Sequence, residues 1–193
     1  MLAHRTIAQG EGWRVADVVC TSGPRDRPFE EKHAGFSIAI VRSGTFQYRA
    51  QNGCELMTPG SLLLGNSGQC FECGHEYGSG DRCLSFSYKP EIFEPLSHAA
   101  GARSSNPVFP VLRLPPLRAL SPLIARACAA VDDKNAGSWE QLTVELAAQV
   151  IPLARGISPT DRFEPSAAAR VTRAVRLLDD APAAAFTLAD LAR

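Results

Sequence analysis

From Trp13 to Tyr88 the chain is cut by glycine and proline into apolar runs too short for helices. Trp13 to Cys20 alternates and is rich in valine. Gly35 to Val41 puts Phe36, Ile38 and Ile40 on one face. Arg42-Ser43-Gly44 turns into Thr45 to Ala50, and Gln51-Asn52-Gly53 carries a hairpin signal into Cys54 to Met57. Thr58-Pro59-Gly60 turns again before Leu62 to Leu64, while Thr21 to Glu31, with Gly23, Pro24 and Pro28, reads as a loop. Alternation with period two over such short runs is strand behaviour. Many short strands separated by tight turns close into a barrel or a jelly roll.

After Tyr88 the pattern changes. Pro90 to Glu94 predicts a single helical turn, Ser97 to Pro107 a loop, and Phe109 to Leu114 a last strand stopped by Pro115-Pro116. Ser121-Pro122 predicts a helix start, with serine as N-cap and proline at the first helical position. Leu123, Ile124, Ala127, Cys128 and Val131 follow at helical spacing. A second helix is predicted from Ser138, with Trp139, Leu142, Leu146, Val150 and Leu153 at steps of three and four. Joined by residues 132–137, the two form a helical hairpin that packs on the β-part. A face left over would let the chain form a homodimer. A third helix is expected from Pro165 to Asp179, with Val171, Ala174, Val175 and Leu178 on one face and Arg170, Arg173 and Arg176 elsewhere. Thr187 and Asp190 then form a capping box. The expected organisation is a β-barrel over 1–116, the hairpin over 117–156, a linker over 157–164 and the start of an all-helical region over 165–193.

Lysine plus arginine and aspartate plus glutamate both number 20. With charge balanced, the chain as a whole is not built as an electrostatic binder of nucleic acid or membrane. The N-terminus has no apolar core of a secretory signal, and no stretch approaches the roughly 18 apolar residues of a membrane helix. The expected setting is the cytoplasm, with the six cysteines as free thiols.

Three of those cysteines fall in one short stretch with a histidine: Cys70, Cys73, His75 and Cys83. A tight turn centred on Ser79 would make this a hairpin with His75 opposite Cys83. Side chains alternate along a strand, so Cys73 would share their face, and the trio Cys73, His75 and Cys83 could hold zinc or another divalent transition metal. Cys70 falls on the other face unless a bend intervenes. Cys70, His33 or Glu72 is the candidate fourth ligand. The competing readings are that the cysteines pack as small hydrophobes or sense redox state.

A small-molecule effector is the other candidate guest. The strand face Phe36, Ile38, Ile40, Phe46, Tyr48, Leu62, Leu64, Phe86 and Tyr88 is the candidate lining, although such residues fill cores more often than they line pockets. Arg42, Arg49 and His33 could supply its polar groups. The ligand-binding candidates are His33, Arg42, Phe46, Tyr48, Phe86 and Tyr88.

Taken together, Gly44 to Arg49, Leu56 to Gly65 and Cys73 to Phe86 resemble the cupin-type sensor domain of AraC-family transcription regulators. Arg170 to Arg176 followed by Phe186 to Arg193 resembles the opening of that family's DNA-binding region. The resemblance implies a cupin (jelly-roll) fold, an effector, and promoter DNA as a partner of the complete regulator. It also implies that this chain stops inside the first helix-turn-helix, before the recognition helix that would read a groove, so no nucleic-acid residues are assigned in it. Cupins with an active metal carry two histidines and a glutamate before a glycine, and a histidine after a Pro-x-Gly turn. Here those positions fall near Glu31, His33, Ser37 and Leu63. One of four is kept, so an effector- or metal-sensing regulatory domain is expected and an enzyme is not; the alternative is a stand-alone cupin metalloenzyme.

Overall fold

The computed structural model describes residues 2–28, 30–102, 107–131, 138–158 and 163–192. Its strands are β1 (Leu2–Gly10), β2 (Trp13–Cys20), β3 (Glu30–Lys32), β4 (Phe36–Gly44), β5 (Phe46–Ala50), β6 (Gly53–Met57), β7 (Leu62–Gly65), β8 (Cys70–Gly74), β9 (Asp81–Tyr88) and β10 (Arg113–Leu114). They form a six-stranded sheet in the order β1-β2-β9-β4-β7-β10 and a four-stranded sheet in the order β3-β8-β5-β6, every pair antiparallel. The fold is mainly β with C-terminal helices, a jelly roll of two facing sheets that does not close into one barrel.

Turn chemistry explains the connections. Ala50 pairs with Gly53 across the Gln51-Asn52 turn. Gly60 has φ 81° in the Thr58–Ser61 turn, which closes by Ser61 N–H donating to Thr58 O at 3.0 Å. That positive φ is one that glycine adopts at little cost.

The middle of the large sheet is buried on both faces, and every β4 residue from Phe36 to Val41 is buried. Phe36, Ile38, Ile40, Leu62, Leu64, Leu84, Phe86 and Tyr88 face the helices in one continuous core. Ala39, Val41, Leu63 and Cys83 face the small sheet, where they meet Phe46, Tyr48 and Met57 in a second core.

The helices are α1 (Pro90–Ala99), α2 (Ser121–Ala130), α3 (Trp139–Arg155), α4 (Pro165–Asp180) and α5 (Leu188–Ala192). Among the described residues, no helix is long and apolar enough to cross a membrane. α2 and α3 put Leu123, Ala127, Leu142, Leu146, Val150 and Ile151 into the sheet-facing core, so their apolar stripes are spent within the chain. A second copy would therefore meet their outer faces, where Val144 is the exposed large apolar side chain. The Tyr88 hydroxyl, fully buried, donates to Thr143 O at 2.9 Å and ties the sheet to α3.

Several expectations change. β1 is an edge strand with mostly exposed side chains, so no apolar alternation marks it. α1 continues past its predicted single turn through Pro95. The strand expected from Phe109 shrinks to β10. Ser121 is the first residue of α2, not its cap: a 3-10 turn, Arg118–Leu120, precedes it, and its Oγ donates to Leu117 O at 3.3 Å. Ser138 does cap α3, accepting from Gln141 N at 3.2 Å. The hairpin connection 132–137, residues 103–106 of the expected loop, and residues 159–162 of the expected linker lie outside the described residues.

α4 docks by a different face from the one its periodicity suggests. Ala168 and Thr172 are buried while Val171 and Leu178 are exposed, because the contact is made by small side chains. Thr45 Oγ1 donates to Thr172 Oγ1 at 3.0 Å, and a Cβ added at Gly78 would stand 2.9 Å from Thr172 Cγ2. The capping box forms reciprocally. Thr187 N donates to Asp190 Oδ2 at 3.0 Å and Asp190 N to Thr187 Oγ1 at 3.2 Å.

Tyr88→Phe removes the donor to Thr143 O while keeping the ring. It is expected to cost about 1–2 kcal/mol, read as a lower urea midpoint at unchanged m-value.

Candidate functional site

The strand faces are sorted by size. On the helix side of β4 and β9 stand Ile38, Ile40, Leu84, Phe86 and Tyr88; on the small-sheet side stand Ser37, Ala39, Cys83, Ser85 and Ser87. β2 adds Ala16, Val18 and Cys20 on that inner side. Small side chains leave space, and a cavity of about 320 Å³ opens between the sheets.

Of the expected ligand-binding residues, His33 and Phe46 border this cavity. Tyr48 faces inward but is fully buried behind His33. Arg42 is the bulged residue of β4, between Val41 and Ser43, and does not border it. Phe86 and Tyr88, with Ile38, Ile40, Leu62 and Leu64, point the other way, into the helix-facing core. Phe36, at the end of β4, touches both spaces. The bulky face, the candidate lining, is for the most part packed core, the commoner fate of such residues.

The hairpin centred on Ser79 does not form. β8 pairs with β3 and β5 in the small sheet, and β9 pairs with β2 and β4 in the large one. Residues 75–80 cross between sheets, held where Gly80 N donates to Ser22 O at 2.8 Å and Glu76 N to Gln47 Oε1 at 3.1 Å. Gly44 and Gly80, with φ 74° and 72°, meet so closely that a Cβ on Gly44 would collide with the Gly80 carbonyl.

Cys73 from the small sheet, His75 from the crossing and Cys83 from the large sheet nonetheless all reach the cavity. The ligand atoms that come together are those of Cys20, His75 and Asp81, all within 4.8 Å of one another. Sequence reasoning missed Cys20 and Asp81, because Cys20 stands opposite Asp81 only through the β2–β9 register. His75 Nε2 lies 2.7 Å from Asp81 Oδ2, and Cys83 Sγ donates to Asp81 Oδ1 at 3.5 Å. Cys70 is exposed on the outer face and Glu72 pairs with Arg49, so neither joins. His33 lies elsewhere in the cavity and is not part of the group.

Burial pushes the Cys73 and Cys83 thiols well up, and the Asp81 carboxylate adds to the shift in both. A thiol held protonated is a poor nucleophile, which disfavours thiol redox chemistry at these two.

At the other end, His33 stacks on Phe71 with ring centroids 4.2 Å apart. Its Nε2 lies 2.8 Å from Tyr48 Oη, a hydrogen bond whose direction follows the imidazole tautomer. A Cβ at Gly65 would collide with this ring, so glycine there makes room for it. Burial lowers the His33 pKa from 6.5 to about 4. The positions matching the cupin metal motifs, Glu31, His33, Ser37 and Leu63, do converge on the cavity. Serine and leucine bring no imidazole or carboxylate, so the residues do not fit the usual cupin metal.

The AraC-like ligand binding domain family matches residues 20–151. Similar solved structures include a cupin superfamily protein from Desulfitobacterium hafniense (11% identity, TM-score 0.40, covering 46% of this chain and 78% of that one). A protein of unknown function from Rhizobium leguminosarum has 16% identity and TM-score 0.41, covering 46% and 81%. A cupin-2 domain protein from Shewanella frigidimarina has 17% identity and TM-score 0.37, covering 45% and 80%. Comparison with curated proteins returned no match.

The His33 shift has a signed consequence. Above pH 6.5 the imidazole is neutral folded and unfolded, and contributes nothing to pH dependence. Between about 4 and 6.5 the unfolded chain binds a proton that the folded chain refuses, so stability falls as pH falls. The loss reaches up to about 3 kcal/mol at full shift. His33→Gln is expected to flatten denaturation midpoints across this window. Asp17 acts lower: the Arg82 guanidinium fork holds its carboxyl down at about 2, so its stabilisation is present above 3.8 and lost as pH falls through 2.

Proposed function

Because the chain belongs to the AraC-like ligand-binding domain family, we propose that it is the effector-sensing module of an AraC-type transcription regulator, and that the effector occupies the cavity between the sheets. The observation that carries this reading is the size partition across the large sheet. It leaves room on one side, in a chamber lined by both apolar and polar side chains. A volume near 320 Å³ is at the small end of ligand sites, matching a compact metabolite with both polar and apolar parts. His33, Ser37, Ser85 and Ser87 can fix its orientation; Ala39, Leu63 and Phe46 supply apolar contact.

A sensing role is favoured over a cupin enzyme by the donor set, since Ser37 and Leu63 stand where that chemistry needs metal ligands. Promoter DNA enters through the helix-turn-helix region that residues 170–193 resemble. α4, which opens that stretch, docks on Thr45 and Gly78. Those residues border Phe46 and the 75–80 crossing, so cavity and output helix share a wall. The cytoplasm is the setting in which such a regulator works.

The test is a thermal-shift screen of small metabolites on the wild type and on Ser85→Leu, which fills the chamber from its inner wall. Compounds that raise the melting temperature of the wild type are expected to lose that effect in the variant. A compound that stabilises both equally binds elsewhere and overturns the cavity assignment.

A further inference from the structure

The geometry points to a divalent transition-metal site, zinc in class, formed by Cys20, His75 and Asp81 at one end of the cavity. It stands or falls separately from the organic effector.

Three elements build it. Cys20 ends β2, Asp81 starts β9, and the β2–β9 register sets them directly opposite on the inner face. Opposed positions hold their Cβ atoms about 4.5–5.5 Å apart. His75 comes from the crossing between the sheets. The three ligand atoms already lie within 4.8 Å of one another, as they must to share an ion with bonds near 2.0–2.3 Å.

Burial makes the arrangement informative. The His75 and Asp81 side chains are 3% and 8% exposed. The Asp81 partners among the described residues are His75 and Cys83. Arg82, the next residue, turns to the opposite face and engages Asp17. A His75–Asp81 ion pair alone would satisfy the charge, but it gives no reason for Cys20 to be the third member of the group.

Charge and softness select the ion. One thiolate, one imidazole and one carboxylate suit zinc and its neighbours, whereas calcium and magnesium favour oxygen throughout. A thiolate and a carboxylate cancel a charge of +2 with His75 neutral. Cys83 then remains a thiol whose Sγ–H orients the Asp81 carboxylate from outside the coordination sphere. Three protein ligands leave the fourth position to water or to a donor atom of a cavity guest. On binding, the Cys20 thiol gives its proton to solvent as sulfur bonds the ion. Uptake therefore strengthens as pH rises.

Cobalt(II) is the probe, because it takes zinc sites and is coloured. The reduced chain, stripped of metal, is titrated with cobalt chloride. One equivalent should bind, with the strong visible bands of four-coordinate cobalt and a near-ultraviolet thiolate-to-cobalt band. Cys20→Ser should lose the thiolate band, and Asp81→Asn should weaken binding about tenfold or more. Cys70→Ser, on the outer face, should change neither. Circular dichroism checks that each variant is folded, and if Cys20→Ser is not, Asp81→Asn carries the comparison. The assignment is overturned by a wild type that takes up no stoichiometric cobalt, by uptake that survives both site substitutions, or by uptake that Cys70→Ser abolishes.

Discussion

Everything in this chain depends on one sheet having to bury both of its faces at once. The six-stranded sheet carries α1, α2 and α3 on one side and the small sheet on the other, and the strands divide their side chains to suit. Toward the helices they send branched and aromatic groups, which pack together in a large core. Toward the small sheet they send mostly alanine, serine and cysteine, with Val18, Val41 and Leu63 among them. Burial of the bulky face supplies most of the hydrophobic stabilisation, at roughly 25 cal/mol per Å² of apolar surface. The small face is thereby free to stay under-packed. The cavity is what remains when stability is secured on the other side of the same strands.

That division also sets what the amino-acid sequence reveals. Strand alternation, the turns at Gly53 and Gly60, the change of period after Tyr88, the helix start near Ser138 and the Thr187–Asp190 capping box are local signals, and each is met in the structure. Which face of a strand looks into a chamber is not local. With both faces buried, alternation separates Ile38 from Ala39 without saying which of them meets a ligand. The crossing at residues 75–80 is hidden for a related reason: Gly78, Ser79 and Gly80 are good turn residues, and nothing nearby announces that the next strand joins another sheet. His75 and Cys83 were visible as ligand types; Cys20 and Asp81 become partners only through a pairing between strands more than fifty residues apart.

The crossing is where the parts meet. On its inner side it presents His75 to Cys20 and Asp81, and on its outer side Gly78 makes room for Thr172 of α4. The close Gly44–Gly80 approach fixes the same corner, where Gly44 N also donates to Asp179 at 3.5 Å. The cavity and the helix leading toward the C-terminus thus lie on opposite sides of one short, glycine-rich segment.

The central claim is that ligands enter between the sheets and not among the helices. Methyl-resolved NMR of the intact chain, titrated with a compound that raises its melting temperature, tests this directly. Val18, Ala39 and Leu63 carry methyls on the cavity side; Ile38, Ile40 and Leu64 carry them on the helix side of neighbouring positions in the same sheet. The account predicts saturable shifts confined mainly to the first set. Shifts concentrated in the second set, with the first unmoved, would contradict it.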